Sequence, residues 1–177
     1  MTPRPLALIQ VFRSPLDRRK GCLVAGPLSI PCALGRAGPT RCKREGDGAS
    51  PIGRFGVIQA FWRPDRGPRP RTRLPVRPIR PADGWCDDLA ERRYNRPVRL
   101  PFGASHETMW REDALYDVVL DIAWNRGPIR PGRGSAIFLH IAKPGFEPTA
   151  GCVAVEKRMI RRLLERIGPR TKIEIVG

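Results

Sequence analysis

The sequence predicts a mostly β protein with one helix near the C-terminus and small additional helical turns. Three observations carry this reading. Apolar residues come in short runs separated by turn residues, as strands do. The 20 Pro and 18 Gly among 177 residues are too many for long helices or a coiled coil, and too few for a disordered chain. Only one segment, close to the end, repeats its apolar residues at the helical period. The length suits one domain spanning 1–177, and at 41% hydrophobic the chain has material for one real core.

Taken in order, residues 6–12, 22–25 and 29–34 read as strands, with Gly26-Pro27 as a hairpin turn between the last two. Residues 35–51 are polar and Gly-rich. Residues 53–62 form the next strand, with Phe55, Val57 and Phe61 among its large side chains. From Arg63 to Pro81 come seven Arg and six Pro, which predicts a long surface loop rather than a helix or central strand. Residues 83–117 are aromatic and charged with weak periodicity; a short helix is predicted over 106–113, and Asp83-Gly84-Trp85-Cys86-Asp87-Asp88 reads as a solvated turn, with a lining of the substrate cleft as the alternative. Residues 117–124 and 135–141 are β-rich, the second holding the apolar run Ala136-Ile137-Phe138-Leu139 of a buried strand. A loop at 143–148 precedes a short extended piece, 152–155. Met159, Ile160, Leu163, Leu164 and Ile167 then mark an amphipathic helix stopped by Gly168-Pro169. Residues 171–176 end the fold as an edge or closing strand.

Charge and cysteine usage narrow the function classes. The formal charge is +16, and Arg supplies 28 of the 33 cations. No apolar run approaches the roughly 18 residues of a membrane span. The N-terminal apolar stretch contains Gln10 and lacks a small-residue cleavage site, so it reads as a strand and not a signal peptide. Five cysteines, at 22, 32, 42, 86 and 152, are an odd number with no C-x-x-C pair, which excludes a full disulfide framework and zinc-ribbon spacing. With two histidines, His106 and His140, no metal site is expected. His106 has polar flanks and reads as a surface or capping residue. Arg111, Asp113, Tyr116 and Asp117 read as a structural polar network.

The chemistry concentrates in residues 135–155, SAIFLHIAKPGFEPTAGCVAV. His140 ends a buried strand, and Cys152 follows twelve residues later, preceded by Gly151. A thiol is mostly protonated at neutral pH, and a neighbouring imidazole that accepts its proton leaves a nucleophilic sulfur. Glycine before a nucleophile permits a tight turn whose backbone N–H groups can face a developing oxyanion. A cysteine beside a buried strand also serves plain packing, and the residues alone leave both readings open.

This segment resembles the signature of the L,D-transpeptidase (YkuD-type) family: a strand-end His, a loop, then Ser/Thr-x-Gly-Cys-Val/Ile, here His140 and Thr149-Ala150-Gly151-Cys152-Val153. Upstream, Asp47-Gly48-Ala49-Ser50-Pro51-Ile52-Gly53-Arg54-Phe55 is similar to the Thr/Ser-Pro-x-Gly strand start of that family. The resemblance covers nearly the whole chain and implies a β-rich, sandwich- or barrel-like catalytic fold. It implies that Cys152 is the nucleophile, His140 the base, the Ile141 carbonyl the group that orients the imidazole, and the Gly151 amide an oxyanion donor. Thr149 and Ala150 fall on the substrate-binding side. The implied donor is the peptidoglycan tetrapeptide stem: Cys152 attacks the carbonyl of its third residue and expels the terminal D-Ala. The thioester then passes to an amine of a neighbouring stem, to a protein lysine, or to water, with no cofactor. Such work belongs to wall building and cell shape in the cell envelope, whereas the lack of a visible signal peptide leaves the cytoplasm open.

Three departures from the family pattern stand out: Ala150 where many members carry His, Ala154 where many carry Arg or Asn, and a short His-to-Cys loop. Ala154 cannot hold a substrate carboxylate, so another cation is needed, and Arg111 and Arg133 are the candidates. The nearest variant is a hydrolytic L,D-carboxypeptidase. From a different class, the sequence pI near 11.2 is the footprint of a nucleic-acid binder, but no recognition-helix, RNA-binding or zinc-finger motif accompanies it, and no specific nucleic acid is expected.

Overall fold

Alternation of apolar and polar residues along the strands turns one face of a large sheet inward. The structure, a computed structural model, describes residues 4–177; residues 1–3 of the expected domain lie outside the described residues. Its strands are β1 (Leu8–Arg13), β2 (Lys20–Ala25), β3 (Leu28–Ala33), β4 (Pro39–Thr40), β5 (Ser50–Pro51), β6 (Gly53–Trp62), β7 (Val76–Pro78), β8 (Asp83–Cys86), β9 (Pro97–Arg99), β10 (His106–Thr108), β11 (Val118–Ile122), β12 (Phe138–Ile141), β13 (Val153–Val155) and β14 (Lys172–Val176). The helix α1 (Lys157–Leu164) lies between β13 and β14.

The main sheet runs β11-β12-β13-β3-β2-β1-β14-β6-β7, and β6 also pairs with β11, so the sheet closes on itself as a barrel. Closure leaves the long strand β6 without a free side along most of its length. Its first half takes β14 and its last residues take the short parallel strand β7. Inside lie Ile9, Val11, Leu23, Ile30, Leu120, Leu139, Val153 and Ile173, all fully buried. The helix adds Ile160, Leu163 and Leu164 to the same core, at the three- and four-residue spacing that stacks side chains on one helical face.

A second, smaller sheet, β10-β8-β9, covers the outer face of the barrel beside β11 and β12. Its anchor is Trp85, whose ring meets Phe138 edge-on at 5.0 Å and whose indole N–H donates to Asn95 Oδ1 at 3.0 Å. Around them a second apolar cluster gathers Ile79, Met109, Tyr116, Val119, Ala136 and Cys152.

Three sequence expectations are corrected here. The Arg63–Pro81 stretch is not all loop: Pro64–Arg66 forms a 3-10 turn and Val76–Pro78 is an edge strand, where Pro is tolerated. Residues 106–113 are not helical. His106–Thr108 is a strand paired with Asp83–Cys86, and the helical turn comes later, at Ala114–Tyr116. Consequently the acidic segment at 83–88 is not a solvated turn, since Gly84, Trp85 and Cys86 are buried in the middle of the small sheet. Tertiary pairing decides this segment, because its local pattern is too weak to do so. The last strand is the closing one, set between β1 and β6.

Candidate active site

The period of two along β12 and β13 sorts the site from the core. Leu139, Ile141, Val153 and Val155 point into the barrel, which leaves Phe138, His140, Cys152 and Ala154 on the outer face. The two strands are parallel with His140 opposite Ala154. Cys152, two residues before Ala154, therefore comes to the same side of the sheet as His140, and the Phe138 N–H donates to its Sγ at 3.4 Å.

The turn before Cys152 is fixed by hydrogen bonds to one distant segment, residues 34–36. Thr149 N–H donates to Leu34 O, and Thr149 O accepts from Arg36 N–H, both at 2.9 Å. Its hydroxyl accepts from Gly151 N–H at 3.1 Å and donates to Cys152 O at 2.7 Å. Gly151 has φ +140°, and a Cβ there would lie 2.7 Å from Ala49 O. Both the backbone region and the space therefore require glycine. Gly151→Ala is expected to cost about 1–3 kcal/mol, read as a lowered midpoint in chemical denaturation, together with a displaced Cys152.

The Nδ1 of His140 lies 2.9 Å from Ile141 O. A carbonyl only accepts, so Nδ1 carries the proton and the lone pair is on Nε2. Burial pulls the imidazole down to about 4, against the opposing Ile141 bond, and the Arg111 charge adds to the fall. Burial pushes the Cys152 thiol up to about 12; the charge of Glu107 adds to this, while the Phe138 N–H and Lys43 oppose it. At neutral pH the two groups are thus a thiol and a neutral imidazole, not an ion pair. The thiol donates to Ala136 O at 3.2 Å, and no hydrogen bond joins it to His140 among the described residues.

Both groups line a cavity of about 510 Å³ with mixed charge. Lys43, almost fully buried, reaches Asp47 Oδ1 at 2.5 Å and Arg44 O at 2.7 Å. Glu45 Oε2 accepts from Tyr94 OH at 2.5 Å and from Ser135 Oγ at 2.7 Å. Tyr116 donates its hydroxyl to Glu107 Oε1 and packs its ring against the His140 imidazole at 5.3 Å. Arg111 lies over the Tyr116 ring at 5.2 Å and grips Asp113 with two bonds of 2.8 and 2.7 Å. Among the described residues, no group of three or more His, Cys, Asp or Glu side chains is placed to hold a metal ion.

The structure therefore brings together Cys152, His140, Thr149, Ala150 and Arg111 on one cavity, with the Ile141 carbonyl on the imidazole. Two expected site residues depart from this. The Gly151 N–H, expected to face an oxyanion, is taken by Thr149 Oγ1 because that hydroxyl sits two residues upstream in the same turn. Arg133 is exposed and is not among the lining residues. Asn125 ties its loop by bonds to Arg130 O and Gly134 O, and the Arg133 carbonyl serves Trp124 Nε1. His106, read as a surface residue, is half-buried and lines the cavity, with Nδ1 2.8 Å from Ala104 O. Asp87 lines the cavity, as the alternative reading of the 83–88 segment has it, whereas Arg36, Lys43, Glu45 and Glu107 are lining residues the sequence does not reveal. Nothing in their neighbourhoods signals it, because they reach the cavity from strands and loops far apart in the chain.

Comparison with protein families matches residues 24–175 to YkuD, the L,D-transpeptidase catalytic domain. The chain belongs to this family. Among solved structures, the chain is similar to Mycobacterium tuberculosis L,D-transpeptidase 1, with 11% identity and a TM-score of 0.41. The alignment covers 96% of this chain and 62% of that one, so the chain spans less than two thirds of the other's length. No curated protein matches. Among the described residues no helix of this family member is long and apolar enough to cross a membrane.

Proposed function

We propose that the protein is a cysteine acyltransferase of the L,D-transpeptidase type acting on peptidoglycan tetrapeptide stems, with residues 1–177 as one catalytic domain working in the cell envelope. The observation that carries this reading is the pairing of Cys152 with an imidazole on one cavity, the imidazole held by Ile141 O as the tautomer with a free Nε2. Family membership supports the substrate class.

In the first half-reaction the stem carbonyl enters beside Cys152, and the thiol turns from Ala136 O toward His140. Sulfur attacks the carbonyl of the third residue as its proton passes to Nε2, so that attack and deprotonation occur together rather than from a preformed thiolate. Collapse of the tetrahedral intermediate breaks the amide to D-Ala, whose nitrogen takes the proton from His140. A thioester on Cys152 remains. With Gly151 N–H occupied, the Cys152 amide is the backbone donor assigned to the oxyanion. An amine acceptor gives a cross-link or a protein attachment; water gives the tripeptide of an L,D-carboxypeptidase. Because one acyl bond replaces another, no nucleotide is consumed.

Incubation of the purified protein with tetrapeptide stems tests the reading. D-Ala release with cross-linked dimers identifies a transpeptidase, release with tripeptide alone identifies a carboxypeptidase, and no release contradicts both. Arg111 is the cation proposed to meet the stem carboxylate, since it lines the cavity and retains N–H groups beyond those on Asp113. Arg111→Ala is expected to weaken kcat/KM for stems by about 2–3 kcal/mol, the scale of a charge-assisted bond. Alkylation of Cys152 by a small neutral thiol reagent should change far less. Equal losses in both assays would assign Arg111 to the fold instead.

A further inference from the structure

Glu107 is a half-buried carboxylate of the cavity with no task in acylation. Glu107 lies on β10, directly opposite Trp85 in the small sheet, and lines the same cavity as Cys152 and His140. Its Oε1 accepts the Tyr116 hydroxyl, while no hydrogen bond reaches Oε2 among the described residues. The Tyr116 ring stands between this carboxylate and the imidazole, packed edge-on against His140. A carboxylate held this way, with one oxygen anchored and one open, suits a cation arriving from the cavity.

The second half-reaction brings such a cation. A primary amine acceptor is an ammonium at neutral pH and cannot attack a thioester until it loses a proton. His140 has a separate task at that moment, carrying a proton to the departing sulfur. Resting on the acyltransferase reading, we propose that Glu107 is the base that receives and deprotonates the acceptor amine. The ammonium gives one proton to the Glu107 carboxylate, and the neutral amine attacks the thioester carbonyl. The new N–C bond forms, the nitrogen passes its second proton to His140, and the C–S bond breaks with that proton going to sulfur. The products are the amide, the Cys152 thiol, neutral His140 and protonated Glu107, which returns its proton to solvent.

The surroundings of Glu107 fit a proton acceptor better than a permanent ion-pair partner. Burial raises its proton affinity, and the like charges of Asp87 and Glu45 add to this, while the Tyr116 bond and the Arg111 charge oppose it. The Cys152 thiol, which the Glu107 charge raises in turn, faces it as well. A raised affinity makes the carboxylate a stronger base than an exposed one.

Two nucleophiles separate this role from a structural one. Protein acylated with a tetrapeptide stem is mixed with Nα-acetyl-lysine amide, an ammonium at neutral pH, or with hydroxylamine, which is uncharged there and needs no prior deprotonation. The readout is the ratio of the two transfer rates. Glu107→Gln keeps the side-chain volume and an acceptor for Tyr116, and should lower that ratio by about 100-fold. Glu107→Ser is held to the same ratio, so a folding failure of one variant leaves the other to decide. An unchanged ratio, or equal loss toward both nucleophiles, overturns the assignment while the acyl-enzyme stands. A parent protein that forms no acyl-enzyme fails at the earlier step and overturns the acyltransferase reading with it.

Discussion

Cys152→Ala is expected to reduce D-Ala release from tetrapeptide stems by about four orders of magnitude or more, the scale on which removal of a covalent nucleophile acts. The fold should persist. Cys152 is a small side chain on the rim of the second apolar cluster, and alanine leaves only the Phe138 N–H and Ala136 carbonyl to find solvent in the cavity. Circular dichroism and a denaturation midpoint check this beside the kinetic assay. Serine at Cys22, Cys32, Cys42 or Cys86 should leave the chemistry in place. All four are free thiols that do not line the cavity, and Cys32 is buried inside the barrel core. Substantial turnover by Cys152→Ala would contradict the mechanism.

His140→Gln is expected to lower the acylation rate by about two to four orders of magnitude, measured as adduct formation per unit time. His106→Gln should do much less, because its Nδ1 is turned to its own segment at Ala104 O. A pH series gives a second reading of the same residue. The folded imidazole titrates at about 4, below its ordinary value of 6.5, because burial disfavours its charge. Between those values the unfolded chain binds a proton that the folded chain refuses, so stability rises with pH through this window and falls as pH drops through it. The contribution is on the order of 1–3 kcal/mol and should vanish from the stability profile of His140→Gln. Asp121, which burial raises to about 6, gives the opposite slope in parent and variant alike, so equal slopes in the two from pH 6.5 to 4 would show that the imidazole is not held neutral.

The barrel strands were readable because short apolar runs stand between turn residues. The runs around Ile9, Leu23 and Leu139 carry this pattern, and the helix at Lys157–Leu164 carries the helical period. The sulfur and the imidazole were readable from a motif, since strand-end His140 and Thr149-Ala150-Gly151-Cys152-Val153 resemble the family signature, whereas the residues alone leave plain packing open. The small sheet was not. Trp85, Val98 and Thr108 sit in segments whose local preferences are mixed, and pairing across about ten to twenty residues, which no single window contains, decides their state. The cavity walls were illegible for a related reason. Lys43, Glu45 and Glu107 become neighbours of Cys152 only when the loop before β5 and the sheet containing β10 close over β12 and β13. Gly151 shows the finer limit. The sequence places glycine before the nucleophile, but the hydroxyl that captures its amide is seen only once the Thr149 turn is built.

The most direct measurement is peptide-resolved mass spectrometry of the intact protein quenched during turnover with tetrapeptide stems, and again after exposure to a carbapenem. One adduct per chain is expected, on the peptide containing Cys152, with the stem mass less D-Ala in the first case. The stem adduct should disappear when an amine acceptor is added. Stem processing with no adduct, or with an adduct on any of the other four cysteines, would contradict the mechanism.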